Sequence, residues 1–359
     1  MNRLLQITNA LVLPLLTGID KVGSKGKVCS LLLLAIALVS CSSEDDPLDE
    51  EITPQIIFLF SPGGLGDMSY NDCILEGVQQ FKKAHPAVDV FMYSPPSLET
   101  AERIFSDWMK RPGSNIPVVF ALASSDFEPI VDKYVAEYDL TDNKRILLFE
   151  SLKTYADKRI HTFQISMYGA SYLAGVTAGH CPDVSRSLIL LGSSSDKPIE
   201  SAMDGFIDGY GSSSYDVEYL SDDWTGYVMA NLAYQKMSEW ASKYGFIFPV
   251  AGGSNAGIYR YTREFKDASP YLAGMDIDQS SLSTKITGSV VKHFDKLVNG
   301  YFTEWLLKGT MPESQVYGLE SGYVDWLLSP LYEDEFRQAV EDKRLDAIER
   351  EKGYYEIGN

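Results

Sequence analysis

The chain has 359 residues, 45% hydrophobic and 12% aromatic, enough for one large or two medium cores and unlike a disordered or collagen-like polymer. Its 31 Lys+Arg against 50 Asp+Glu leave a net charge of −19, and a surface so acidic repels phosphate backbones, which argues against a nucleic-acid partner. Four His and four Cys without paired spacing argue against a structural zinc site.

The first feature along the chain is the apolar run Val28–Val39 (VCSLLLLAIALV), preceded by Lys21, Lys25 and Lys27. Twelve residues at about 1.5 Å rise cannot cross a hydrocarbon core of about 30 Å, so the run reads as a secretory signal. It ends Leu38-Val39-Ser40-Cys41, which looks like a bacterial lipobox, with residues 1–40 as a lipoprotein signal peptide and Cys41 as the lipidated first residue. Ser42-Ser43-Glu44-Asp45-Asp46 opens an acidic tether over 41–53, which leaves the membrane and its face undecided. A second apolar run, Ala10–Ile19, is broken by Pro14, and no Met lies between Met1 and Cys41. The expectation is therefore a translation start nearer Lys21, at a non-Met codon. Without residues 1–40 the chain carries 27 Lys+Arg and 49 Asp+Glu, a net −22. Cys73 and Cys181 then remain beside Cys41, either as a disulfide or as buried thiols.

From Gln55 onward, short apolar runs alternate with amphipathic stretches. Strands are predicted at 56–60, 88–93, 117–121, 146–149, 162–165, 187–191, 217–220, 246–250 and 271–275. Helices are predicted between them at 71–84, 98–110, 128–137, 168–178, 199–209, 225–244 and 256–265. That alternation implies an α/β fold of parallel sheets with helices on both faces, and the number of strands favours two lobes. The tail 333–352, with Phe336, Val340, Leu345 and Ile348, reads as a closing amphipathic helix. Ligands of open α/β sheets bind beyond the carboxyl ends of the strands, so the loops after strands are the places to search.

The first such loop is Ser61-Pro62-Gly63-Gly64-Leu65-Gly66-Asp67-Met68-Ser69-Tyr70-Asn71. It is neither a Walker loop, lacking the Lys-Ser/Thr ending, nor GxGxxG; on spacing alone it is a glycine turn with a helix cap. With Glu76-Gly77 it resembles the Gly-Gly-x-x-Asp-x-Ser-Phe-Asn…Glu-Gly opening of the basic membrane lipoprotein family. That family includes purine nucleoside receptor lipoproteins, the substrate-binding components of ABC importers. Ser171-Tyr172-Leu173-Ala174-Gly175 and Met203-Asp204-Gly205-Phe206-Ile207-Asp208-Gly209 resemble two of its helical segments. Ala251-Gly252-Gly253-Ser254-Asn255-Ala256-Gly257 and Gly274-Met275-Asp276-Ile277-Asp278-Gln279 resemble two of its loops. Ser289-Val290-Val291-Lys292 and Gly318-Leu319-Glu320-Ser321-Gly322 follow in the family's order. Tyr70 stands where Phe is usual, the third loop (121–126) matches poorly apart from Asp126, and Trp224 replaces a displaced Phe.

The resemblance implies a type I periplasmic-binding-protein-like fold of two Rossmann-like lobes joined by three crossovers, near Ile165, Lys285 and Trp326. The lobes would be 54–165 plus 285–325, and 166–284 plus 326–359. The interlobe cleft would hold Asp67, Tyr70, Asn71, Asp126, Trp224, Gly252, Gly253, Asp276 and Lys292. Tyr70 and Trp224 would clamp a flat base, each stacked face contributing about 1–3 kcal/mol. Asp276 and Asp126 would accept hydrogen bonds, Lys292 would meet a ribose hydroxyl or Asp276, and the two glycines would admit backbone N–H groups.

Several carboxylates against one lysine disfavour a nucleotide phosphate and favour a nucleoside or similar neutral polyol. The same set suits a cationic, thiamine-like ligand, the alternative. Asp276-x-Asp278 is not an EF-hand, since Ser281 stands where that loop needs Gly, and no Gly-x-Ser-x-Gly, His-Glu-x-x-His or Cys-His pair is present. His85, His161, His180 and His293 fall outside the candidate loops and read as surface or cap residues. The reading is a non-enzymatic, monomeric, lipid-anchored binder without cofactor or metal, serving an ABC permease. A non-transport surface adhesin or sensor on the same fold is the competing class.

Overall fold

The computed structural model describes residues 52–357; the signal-like segment, Cys41 and the tether as far as residue 51 lie outside the described residues. Among the described residues twelve strands form two six-stranded sheets. The first contains β1 (Gln55–Phe60), β2 (Asp89–Tyr93), β3 (Val118–Ala123), β4 (Lys144–Phe149), β5 (Ile160–Ile165) and β11 (Gln315–Tyr317), in the order β11-β5-β4-β3-β1-β2. The second contains β6 (Ser187–Ser193), β7 (Tyr215–Ser221), β8 (Phe246–Val250), β9 (Tyr271–Asp276), β10 (Ile286–Lys292) and β12 (Val324–Leu328), in the order β12-β10-β9-β8-β6-β7. All pairings are parallel except β10 with β12. Helices cover both faces, so inner strands read as continuous apolar runs: every residue of β3 and β6 is buried.

The helices are α1 (Tyr70–Ala84), α2 (Leu98–Lys110), α3 (Glu128–Glu137), α4 (Tyr168–His180), α5 (Glu200–Tyr210), α6 (Ala230–Lys243), α7 (Asn255–Glu264), α8 (Phe294–Lys308) and α9 (Glu333–Ile357). Local chemistry explains their ends and faces. Ser97 caps α2 by accepting the Thr100 N–H at 3.2 Å, and Ala101, Phe105, Trp108 and Met109 recur at helical spacing on its buried face. The Phe105 and Trp108 rings meet Phe120 of β3 at 5.2 and 5.0 Å. Among the described residues no helix is long and apolar enough to cross a membrane.

Two expected boundaries move. Ile286–Lys292 pairs with β9, Met275 opposite Val290, and Val324–Leu328 pairs with β10. Residues 285–292 and 324–325 therefore belong with the second sheet, because Ile286, Val290 and Val324 are fully buried there. The second crossover follows Lys292 instead of lying at Lys285, and the third lies between β11 and β12, before Trp326. On α9, Phe336 and Val340 are buried but Leu345 is 75% exposed; five residues after Val340 it has rotated off the face that Ala347 continues. His161 is also buried, its Nδ1 3.0 Å from Pro312 O, where a surface or cap position was expected. Cys73 and Cys181 are buried free thiols, each pushed up to about 12 by burial.

Candidate functional site

The carboxyl ends of both sheets face a cavity of about 760 Å³, its open mouth included. The nine cleft residues singled out from the sequence, Asp67, Tyr70, Asn71, Asp126, Trp224, Gly252, Gly253, Asp276 and Lys292, all line it. It is also lined by Glu150, Asp196, Tyr227, Ser124 and Ser125.

The loop after β1 spends much of its polarity on itself. Asp67 accepts the N–H groups of Ser69, Asn71 and Asp72 at 2.9, 2.9 and 3.2 Å, and so caps the start of α1. Burial nevertheless pushes its carboxyl up to about 6 against those bonds. Asn71 accepts from Ser61 N–H at 3.2 Å and donates to Gly64 O at 3.0 Å, which ties the glycine turn to the helix. Both side chains therefore shape the wall as well as lining it.

Lys292, at the end of β10, is 5% exposed. Its Nζ lies 3.1 Å from Asp276 Oδ1 and 4.0 Å from Glu150 Oε1. Burial alone would pull the ammonium down; Asp276 and Glu150 outweigh that and hold it above its ordinary value. Asp276 ends β9 and Glu150 follows β4, in opposite sheets, and both have left-handed backbones, φ +70° and +56°. For non-glycine residues such a conformation costs about 1–3 kcal/mol and persists where the surroundings over-determine it. Glu150 is pushed up to about 7, by burial first and against the nearby Lys292.

Rings line the cavity from both sheets. Tyr70 packs edge-on against Phe294, centroids 5.1 Å apart, and Lys292 Nζ stands 5.2 Å from its ring centroid. The second sheet contributes two rings, Trp224 and Tyr227, from the turn after β7. Tyr227 donates its hydroxyl to Asp196, and a Cβ on Gly252 would lie 3.2 Å from its Cδ1. On Gly253 a Cβ would lie 3.1 Å from Tyr227 O and 3.4 Å from Asp67 Cβ. These glycines thus make room for a ring and for the opposite lobe while lining the cavity.

Across the mouth, Ser125 donates to Asp196 Oδ1 at 2.9 Å. Asp126 beside it is pushed up to about 6, by burial first and then by Asp196. Among the described residues no group of three His, Cys, Asp or Glu is placed to hold a metal ion. Glu150, Asp196 and Tyr227 were missed in the sequence although each follows a strand by only a few residues. Glu150 is the residue after β4, and Tyr227 sits beside Gly226, where a Cβ would meet Gly192 O at 1.7 Å.

The profile of a family described as ABC transporter substrate-binding protein PnrA-like matches residues 55–354. No curated protein matches the chain by sequence. Among solved structures, a solute-binding protein of an ABC transporter system from Aeropyrum pernix K1 is similar over 85% of this chain and 86% of its own, with 16% identity and TM-score 0.65. A transcriptional activator of the comK gene from Bacillus halodurans is similar over 81% and 96%, with 17% identity and TM-score 0.58. A carbohydrate transporter solute-binding protein from Agrobacterium radiobacter, in complex with D-arabinose, is similar over 81% and 99%, with 14% identity and TM-score 0.56. At these identities the structural likenesses establish the type I periplasmic-binding fold.

Proposed function

The chain belongs to the family of PnrA-like ABC transporter substrate-binding proteins, and on that premise we propose that it captures a flat, uncharged ligand of the nucleoside class in the cavity between its sheets. It would do so outside the cytoplasm, anchored by a lipid on Cys41, and deliver the ligand unchanged to an ABC permease. Closing the lobes on the ligand would couple binding to a shape the permease reads.

The observation that carries the choice of ligand is the charge of the wall. Among the described residues lining the cavity, Lys292 is the single cation, and Asp276 already holds it at 3.1 Å. Asp67, Asp126, Glu150 and Asp196 add further acidic groups around it. A phosphate would enter that field without a partner, whereas hydroxyl and ring N–H groups would find acceptors. Tyr70 on one lobe and Trp224 and Tyr227 on the other offer ring surfaces to a base. Titration calorimetry should therefore show adenosine binding at least about tenfold more tightly than AMP; AMP binding more tightly would overturn the reading.

Asp126 and Asp196 favour a second reading. They face each other from opposite lobes beside these rings, and neither forms an ion pair among the described residues. A thiamine-like cation suits that pair. Thiamine binding without adenosine binding would select it.

A further inference from the structure

Two buried polar atoms on the cavity wall have no hydrogen-bond partner among the described residues, Tyr70 Oη and Glu150 Oε1. Their side chains flank the same ammonium: Lys292 Nζ is 4.0 Å from Glu150 Oε1 and 5.2 Å from the Tyr70 ring centroid. Glu150 is 7% exposed, and its other oxygen accepts the Ile165 N–H at 3.1 Å. That bond, with the left-handed backbone at Glu150 (φ +56°), fixes the carboxyl so that one oxygen serves the fold and the other, though within ion-pair distance of Lys292, accepts no hydrogen bond among the described residues. Leaving buried polar atoms unpaired costs stability, and native proteins keep few of them without a use.

We infer that Glu150 is a specificity-determining residue which, together with the hydroxyl of Tyr70, receives a hydroxyl group of the ligand. Tyr70 Oη donates to the ligand oxygen, and the ligand O–H donates to Glu150 Oε1. The inference rests on the preceding reading of the cavity as the ligand site and adds which functional group this part of the wall selects. The two orphaned atoms have opposite needs, an acceptor for the phenol and a donor for the carboxylate, and a hydroxyl supplies both from one atom. An ammonium would serve Glu150 and leave Tyr70 Oη unpaired. A phosphate oxygen would serve Tyr70 and be repelled by Glu150. Discrimination of this kind is large because the analogue lacking the group leaves buried site atoms unpaired.

The test compares wild type, Tyr70→Phe and Glu150→Gln, each stripped of carried ligand by unfolding and refolding. Gln retains an oxygen for the Ile165 N–H. Calorimetry with adenosine and its 2′-, 3′- and 5′-deoxy analogues should find one analogue at least about tenfold weaker on wild type, with the penalty shrinking below about threefold in both variants. No penalty on wild type, or an equal penalty in the variants, overturns the assignment. Thermal melting of the empty proteins supplies an independent arm. Tyr70→Phe should melt no lower than wild type, since it removes a buried hydroxyl that has no partner among the described residues; a clearly lower melting temperature would show that the hydroxyl is spent on the fold and also overturn the assignment. If adenosine fails to bind wild type, the nucleoside reading falls, and the melting arm still decides whether the Tyr70 hydroxyl is spent on the fold.

Discussion

At Asp276, one carboxylate both lines the cavity and ties the two lobes together. It accepts the Ser69 hydroxyl from the opposite lobe and holds Lys292 Nζ at 3.1 Å, and both charged side chains are almost wholly buried. Breaking a buried pair by removing one partner leaves an uncompensated charge and costs about 3–5 kcal/mol. Asp276→Ala should therefore lower the melting temperature as well as abolish binding. Asp276→Asn, which keeps an acceptor for Ser69, should lose binding with the smaller stability loss. Equal melting of Asp276→Ala and wild type would show that the pair contributes nothing net. The neighbouring Asp278 is exposed and accepts the Ser280 N–H at 2.9 Å. A loop motif places residue types along the chain, but which side of the backbone each one faces depends on local dihedrals, here the left-handed turn at Asp276.

Among the elements, α4 and α5 show that part of the family-like pattern concerns packing. A Cβ on Gly209 would lie 1.9 Å from Tyr172 O, and one on Gly205 would lie 2.2 Å from Tyr168 O, so the two helices touch through backbone. All residues of α4 from Tyr168 to Ala178 are buried, which explains why this helix has no polar stripe. Gly209→Ala should destabilise the fold by about 1–3 kcal/mol, as overpacking does, read as a lower urea midpoint. Affinity for adenosine should stay within about twofold after correction for the folded fraction, because neither glycine lines the cavity. A wild-type midpoint would mean that the crossing relaxes freely. Most elements were legible from apolar period and length. β11 has three residues, and β12 forms an antiparallel edge, so neither carried a sufficient signal of its own.

Over the whole molecule, the lobes are linked both across the mouth and at the crossovers. Ser125 to Asp196 at 2.9 Å and Gln279 Nε2 to Met68 O at 2.9 Å bridge the mouth. At the other end, Glu351 of α9 accepts Ser166 Oγ, Gly169 N–H and Leu319 N–H at 2.6, 2.9 and 2.6 Å. Ser166 lies in the first crossover and Leu319 in the third, so one carboxylate from the C-terminal helix clamps two of the connections about which the lobes would turn. Glu351→Ala would leave two buried N–H groups without this acceptor, at about 1–3 kcal/mol each. It should lower the urea midpoint and raise the radius of gyration of the ligand-free protein in small-angle scattering. An unchanged radius with a lowered midpoint would make Glu351 a stabiliser without influence on lobe angle.

The amino-acid sequence by itself determined the α/β alternation, the acidic balance and the loops that carry Asp67, Tyr70, Asp126, Asp276 and Lys292, because apolar period, charge and strand-end position are local properties. The tertiary structure decided that β10 joins the second sheet, that Tyr227 accompanies Trp224, and that Glu150 and Asp196 stand on the same wall as residues far from them in the chain. It also decided that Glu351, near the end of the chain, bonds to both Ser166 and Leu319. These pairings depend on how two separately formed sheets face each other, and no short window of sequence contains both partners.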